Sequence, residues 1–144
     1  MAQELAIGSL LVAITVLVHT AGLVALSHWM PHVVSRLRLH RHDLGRSLTM
    51  VTTVLSIFAI HTVEIWIWAT AIDWTGAVEG FQNALFISTI MFSTVGYGEI
   101  TIAPAWRLLV SLEAINGFIL IGWSTAYLVG AATRHGPFHP DRHF

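Results

Sequence analysis

The sequence lacks cysteine and lysine altogether, and only 10% of its 144 residues are charged. Without cysteine the chain can form neither disulfides nor thiolate metal sites. Without lysine, and with a net charge of −1, it has neither the basic footprint of a nucleic-acid-binding protein nor a polybasic membrane anchor. Hydrophobic residues instead make up 55% of the chain, more than in ordinary soluble domains. The composition therefore predicts a lipid bilayer as the main solvent and no nucleic-acid partner.

Long apolar runs occur at residues 5–26, 48–72 and 108–132. Each exceeds the roughly 20 residues that a helix needs to cross the hydrocarbon core, so three transmembrane helices are predicted. A soluble bundle is excluded because these runs fill half the chain and leave too little polar surface to cover them. The segment before the first run contains Glu4 and no basic residue, which favours an uncleaved helix over a signal peptide.

Basic residues are concentrated in two places. Six of the seven arginines lie between the first two runs and in the tail, namely Arg36, Arg38, Arg41, Arg46, Arg134 and Arg142. By the positive-inside rule both stretches are cytoplasmic, which puts the N-terminus outside and the C-terminus in the cytoplasm. The first run carries no arginine ladder, so no voltage sensor is expected there.

A fourth apolar run, residues 81–92, has only 12 residues and reaches about 18 Å as a helix. It is too short to span, so it is expected to enter the bilayer and return. The return path, residues 93–99 with the sequence STVGYGE, would be irregular backbone at membrane depth. Such backbone is tolerated only where it is buried in protein or lines a watery pore.

The run TVGYG can supply ion ligands. A dehydrated potassium ion needs oxygen atoms that replace its water, and stacked rings of backbone carbonyls from four chains provide them. Carbonyl groups that all point toward one axis require backbone dihedral angles that alternate between right-handed and left-handed regions. Gly96 and Gly98 tolerate the left-handed values. The pattern predicts a homotetramer that binds K⁺ at Thr94, Val95, Gly96 and Tyr97.

With these residues, the chain resembles the pore module of the potassium channel superfamily, whose established filter signature is TVGYG. The resemblance implies an all-α membrane protein that conducts K⁺ passively through a tetrameric pore, is not an enzyme and needs no cofactor besides the permeant ion. It implies a bacterial inner-membrane location. The implied organisation is an accessory helix (1–29), a basic cytoplasmic loop (30–46), a pore domain (47–132) and a cytoplasmic tail (133–144). The pore domain divides into outer helix 47–72, pore helix 81–92, filter 93–99 and inner helix 105–132.

Further roles follow from the same resemblance. Glu99 stands where the family usually has aspartate and would form an acidic outer mouth. Gly117 matches the hinge glycine of family inner helices, although close helix packing also explains a glycine there. The residues expected to face the cavity below the filter are Phe118, Ile121 and Thr125.

The sequence also predicts a polar cluster behind the filter that braces the pore helix, because charges inside a bilayer are expensive and usually functional. Its members would be His61, Glu64, Glu113 and Asn116, aided by hydroxyls of Ser88 and Thr89. At least one carboxyl would be protonated or paired with histidine. The alternative is that each acid bonds separately to a nearby group.

Other functions remain open at this point. A non-selective cation channel is the nearest alternative, and Tyr97 argues against it because relatives of that kind usually alter this position. A non-conducting subunit that keeps the pore fold is another. An enzyme is disfavoured because His61 and Glu64 form no complete metal or nucleophile set. The gating stimulus, a separate regulatory subunit and pH sensing by cytoplasmic histidines are left open.

Overall fold

The structure, a computed structural model, describes residues 1–36, 43–96 and 100–135. Within these ranges the elements are α1 (Ala2–Arg36), α2 (Asp43–Trp74), α3 (Phe81–Phe92), a short 3₁₀ helix (Pro104–Trp106) and α4 (Arg107–His135). Three helical spans, Ala2–Arg36, Leu44–Trp74 and Pro104–Thr133, are long and apolar enough to cross a membrane. The all-α membrane fold predicted from the apolar runs is confirmed.

The helix ends differ from the predicted boundaries around the first loop. α1 does not stop at residue 29 but continues through Pro31 to Arg36, and α2 already begins at Asp43. A proline inside a helix removes one backbone hydrogen bond, yet its fixed φ is close to the helical value, so the helix can continue past it. Residues 37–42 and 136–144, which hold part of the basic loop and most of the tail, lie outside the described residues.

α1 packs into the groove between α2 and α4. Its buried positions recur every three or four residues along one face: Glu4, Gly8, Leu11, Thr15, His19, Leu23, Leu26 and Met30. A Cβ at Gly8 would lie 2.5 Å from Leu112 Cδ1, and one at Gly22 would lie 2.7 Å from Ile60 Cδ1. The two glycines therefore allow α1 to approach both neighbours closely, as small residues do between membrane helices.

α1 also makes polar contacts with α4 near both ends. The Leu108 N–H, in the first turn of α4, donates to Glu4 Oε2 at 3.2 Å, and Ser27 Oγ donates to Tyr127 Oη at 3.1 Å. The Leu108 N–H is one of the four that have no partner within their own helix. Glu4 thus caps α4 from a different helix, and α1 and α4 run in the same direction.

α3 is wedged between α2 and α4. The chain turns back after α2 at Gly76 and Gly80, whose φ angles are +70° and +84°, values that favour glycine. Around this turn a buried apolar core holds α3 in place, formed by Ile72, Ala77, Val78, Ala84, Ile87 and Val110. α3 ends at Phe92 beside Gly117, about 15 Å along α4 from its first residue. The short helix therefore stops inside the bundle, about a third of the way along α4.

Candidate functional site

The segment that follows α3 folds back onto the end of that helix. The Thr94 N–H donates to Met91 O at 2.9 Å, and the Gly96 N–H donates to Ile90 O at 3.1 Å. These bonds satisfy carbonyls that the last turn of a helix otherwise leaves without partners. Residues 94–96 are exposed on the chain, and Val95 keeps 67% of its surface.

Two residues of this segment have left-handed backbone. Gly96 has a φ of +63°, the conformation expected from the motif, and Thr94 also has a φ of +63°, which the sequence did not predict. A positive φ is rare for a β-branched residue, and such strain costs about 1–3 kcal/mol. Strain of this kind is concentrated at functional sites. Tyr97, Gly98 and Glu99, the rest of the predicted filter and its mouth, lie outside the described residues.

Gly117 fixes the distance between α4 and the end of α3. A Cβ at this position would overlap the carbonyl oxygen of Phe92 and lie 2.7 Å from its carbonyl carbon, whereas one at Gly122 would have no atom within 4 Å. Backbone therefore meets backbone at Gly117, and only glycine permits this contact. The structure shows a packing role for Gly117. The hinge role of this residue stays a prediction.

One face of α4 is exposed on the single chain. One row of exposed positions recurs at intervals of four and three residues, namely Ser111, Ile115, Phe118, Gly122, Thr125 and Val129, and Ile119, Ile121, Trp123 and Ala126 are exposed beside it. Phe118 keeps 70% of its surface and Ile121 36%, while Thr125 Oγ1 donates to the carbonyl of Ile121 at 2.9 Å. The predicted cavity residues therefore lie on a surface that this chain does not cover by itself.

Residues 60–134 match the Ion_trans_2 family, described as an ion channel. The chain belongs to this ion channel family. The matched residues include the second half of α2, all of α3 and nearly all of α4, whereas α1 lies before them. No curated protein and no solved structure matches the chain.

Membership places the chain in the potassium channel superfamily as a pore module, and its function is that of an ion channel in a membrane. An ion channel of this family is an oligomeric, multi-pass membrane assembly. The family favours ion conduction over enzymatic activity.

The channel has a group of buried polar residues where three helices meet. Glu64 on α2 accepts hydrogen bonds at both carboxylate oxygens, from His19 Nδ1 on α1 at 2.9 Å and from His61 Nδ1 at 2.8 Å. The Nε2 atom of His61 lies 3.0 Å from Ser124 Oγ on α4. The His61 ring also packs edge-on against Phe92, the last residue of α3, with ring centroids 5.4 Å apart. The group is thus linked directly to the end of α3.

Glu113 has different partners from Glu64. Its Oε1 is hydrogen-bonded to Ser88 Oγ on α3, and the same hydroxyl lies 2.9 Å from the backbone oxygen of Ile65. Since a hydroxyl has a single hydrogen, Ser88 can make a full hydrogen bond at both contacts when Glu113 holds a proton and donates it to Ser88 Oγ. Oε2 of Glu113 has no hydrogen-bond partner among the described residues, which also fits a neutral carboxyl.

Asn116 joins a third group. Its Nδ2 donates to Thr15 Oγ1 on α1 at 2.9 Å, while Thr89 donates to the carbonyl of Leu85 in its own helix. Instead of the single cluster expected from the sequence, the predicted members fall, within the described ranges, into three separate groups, at Glu64, Glu113 and Asn116. The reason is that α1 inserts its own polar side chains and takes two of the predicted members as partners.

The residues missed by the sequence prediction are His19, Thr15 and Ser124. One signal was available, because His19 is the sole ionisable residue in the apolar run 5–26 and an ionisable group inside a membrane helix usually has a partner. No such signal exists for Thr15 and Ser124, since hydroxyl residues are common in membrane helices and often bond their own backbone.

Proposed function

We propose that the chain forms a homotetrameric, potassium-selective channel in which residues 94–98 of four chains build the selectivity filter. K⁺ moves passively down its gradient, bound by backbone carbonyls of Thr94, Val95, Gly96 and Tyr97. Family membership supplies the ion channel function, and the TVGYG sequence supports the choice of potassium.

One observation carries the proposal. α3 is 12 residues long, ends at Phe92 about a third of the way along α4, and is followed after Ser93 by Thr94-Val95-Gly96. A half-length helix that ends in mid-bundle brings irregular backbone to the middle of a membrane, where it is tolerated only beside protein or water. The positive φ of Gly96 supports a backbone that turns its carbonyls toward one side.

Electrostatics favour a cation at this place. The C-terminus of a helix carries a partial negative charge of about half an electron, and that end of α3 faces the candidate filter segment. Four such ends around one axis would stabilise a cation in transit through the cavity below the filter. Glu99, directly after the motif, would add an acidic outer mouth that concentrates cations.

The tetramer explains the exposed face of α4. A ring of carbonyls around one ion needs several identical chains in closed symmetry, and the potassium filter uses four. Phe118, Ile121 and Thr125 would then line the cavity, and the remaining exposed positions would contact the neighbouring subunit. In the bacterial inner membrane proposed here, the arginines place the C-terminus in the cytoplasm and the N-terminus outside.

The test is flux into vesicles that contain the purified full-length chain. A potassium gradient should drive rapid uptake, whereas an equal sodium gradient should drive little, and the reversal potential in mixed salts should follow potassium. Equal permeation of both ions would show a non-selective channel. An absence of flux from correctly folded tetramers would show a non-conducting subunit. Native mass measurement in detergent should give four chains, and a conducting monomer or trimer would contradict the tetramer.

A further inference from the structure

His19, His61 and Glu64 form a compact, buried set of metal-binding groups. The ligand atoms that these residues offer all lie within 4.8 Å of one another. The side chains of His19 and Glu64 have no exposed surface, and that of His61 keeps 14%. His61 and Glu64 lie one turn apart on α2, and His19 comes from α1. Two helices are therefore already arranged around one point.

The hydrogen bonds of this group leave it short of donors and with a net negative charge. If each imidazole donates its Nδ1 hydrogen to Glu64, both Nε2 atoms become acceptors. Ser124 has one hydrogen to offer, and its Oγ lies 3.0 Å from Nε2 of His61 and 3.5 Å from Nε2 of His19. One carboxylate between two neutral histidines is also a net negative charge away from water, which is costly. A divalent cation bound by the three side chains would change the net charge of the group from −1 to +1 and would give the carboxylate and both imidazoles a direct partner.

The chemistry of the ligands indicates which cation. Two imidazole nitrogens and one carboxylate suit zinc and similar divalent transition metals, whereas calcium and magnesium prefer six or more oxygen ligands. Three protein ligands leave a fourth position for water. Zinc binds nitrogen at about 2.0–2.1 Å, so its ligand atoms are roughly 3.4 Å apart in a tetrahedron. The two Nδ1 atoms lie 2.8 and 2.9 Å from the two different carboxylate oxygens, and all the ligand atoms lie within 4.8 Å of one another, so binding would require each side chain to shift toward a common centre.

We propose that His19, His61 and Glu64 bind a divalent transition-metal ion of the zinc class within each subunit. The ion bonds to Nδ1 of both histidines and to the Glu64 carboxylate. Each neutral imidazole then carries its hydrogen on Nε2, and that of His61 donates to Ser124 Oγ. Ligating histidines typically donate their second ring N–H in this way, which fixes the orientation of the ring.

The position of the site gives the ion a structural effect. It joins α1, which lies outside the matched channel region, to α2, which lies partly within it. Because His61 packs against Phe92, the joined helices also support the end of α3. Binding to the folded state alone stabilises it by mass action, so the ion should raise the melting temperature of the protein.

The experiment uses the full-length chain, purified in detergent, with its affinity tag removed and its metals stripped. Zn²⁺ affinity is measured by competition with a chromophoric chelator, and Co²⁺ provides an absorption spectrum that reports tetrahedral coordination. We expect one tight site per chain, an intense tetrahedral Co²⁺ spectrum that Zn²⁺ abolishes, and a melting temperature that rises with Zn²⁺.

Substitutions then assign the ligands. His19→Gln, His61→Gln and Glu64→Gln should each weaken the tight site at least about tenfold, as expected when a ligand or its support is lost. His28→Gln and His32→Gln are the matched controls, because both histidines are exposed on α1 and their Nδ1 atoms lie 2.8 and 2.7 Å from backbone oxygens of their own helix. These two variants should leave the tight site unchanged.

Ser124→Ala provides a test of the site that does not depend on the ligand variants being able to fold. It removes only the hydroxyl behind His61 and should weaken Zn²⁺ binding about 10–100-fold, as loss of such a supporting group usually does. The proposal is overturned if folded wild type has no tight site, if the controls lose the site while the ligand variants keep it, or if the Co²⁺ spectrum is octahedral. No readout depends on ion flux, so a failure of potassium selectivity would leave the result intact.

Discussion

The candidate filter segment and the buried polar group around Glu64 both meet the end of α3, yet they are built in opposite ways. Residues 94–96 follow one another along the chain, are exposed, and offer backbone atoms. The group around Glu64 is built from side chains of three helices, is buried, and leaves the backbone of those helices regular. The filter segment depends on backbone conformation and the polar groups on helix packing, so substitutions should affect them differently.

The largest effect is expected at Gly96, where the proposed function depends on backbone conformation. Gly96→Ala adds a Cβ at a φ of +63°, which disturbs the carbonyl ring of the proposed filter and should abolish K⁺ flux into vesicles. Gly130→Ala is the control, because no atom lies within 4 Å of the position that a Cβ would take on this helical glycine. Unchanged flux in Gly96→Ala would show that the ion takes another path.

Gly117 lies where the two regions touch, and its substitution should mainly affect assembly. In Gly117→Ala the new Cβ would overlap the carbonyl group of Phe92, so α3 and α4 must separate. Overpacking typically costs about 1–3 kcal/mol, and we expect the upper end because backbone cannot rotate away. The measurement is survival of the oligomer on heating in detergent.

Gly122→Ala is the comparison for that experiment, since nothing lies within 4 Å of its Cβ position on the chain. A Gly117→Ala protein that melts with the wild type would contradict the close contact. If Gly122→Ala were the more damaging variant, the tight approach would instead lie between subunits.

The polar groups should show smaller, graded effects. Glu113→Gln keeps a donor for Ser88 Oγ, whereas Glu113→Leu removes it and leaves only the Ile65 carbonyl for that hydroxyl. The leucine variant should therefore lose about 1–3 kcal/mol of stability relative to the glutamine variant. Thermal unfolding of the two variants in the same detergent measures the difference. A leucine variant equal to wild type in melting and in flux would exclude a bracing role.

The contrast between the two regions also explains what the sequence could predict. The three spanning helices and the short α3 follow from run length and composition, and TVGYG is contiguous, so both are visible without a structure. The partners of Glu64 depend on how α1 is rotated about its axis, which places His19 rather than a neighbouring residue toward α2. Separation of 45 residues along the chain hides that contact. The positive φ of Thr94 was likewise invisible, because threonine has no intrinsic preference for it.

The smallest effect is expected at the contact between α1 and α4. Thr15→Val removes the oxygen that accepts a hydrogen bond from Asn116 and keeps the shape of the side chain. Hydrogen bonds between membrane helices contribute about 0.6 kcal/mol on average. A double-mutant cycle with Asn116→Leu measures this coupling directly. A coupling energy of zero would mean that α1 is held by its apolar contacts alone.

The pairing of α1 with α4 has a consequence for the order in which the protein is made. α1 is synthesised first and α4 last, and chains begin to fold from the N-terminus as they emerge. The contacts of Glu4 with Leu108 and of Thr15 with Asn116 join residues 104 and 101 positions apart. α1 therefore enters the bilayer before α4 has supplied the interhelical partners of Glu4 and Thr15. Synthesis of α4 is thus the step that completes the contacts of α1 within the bundle.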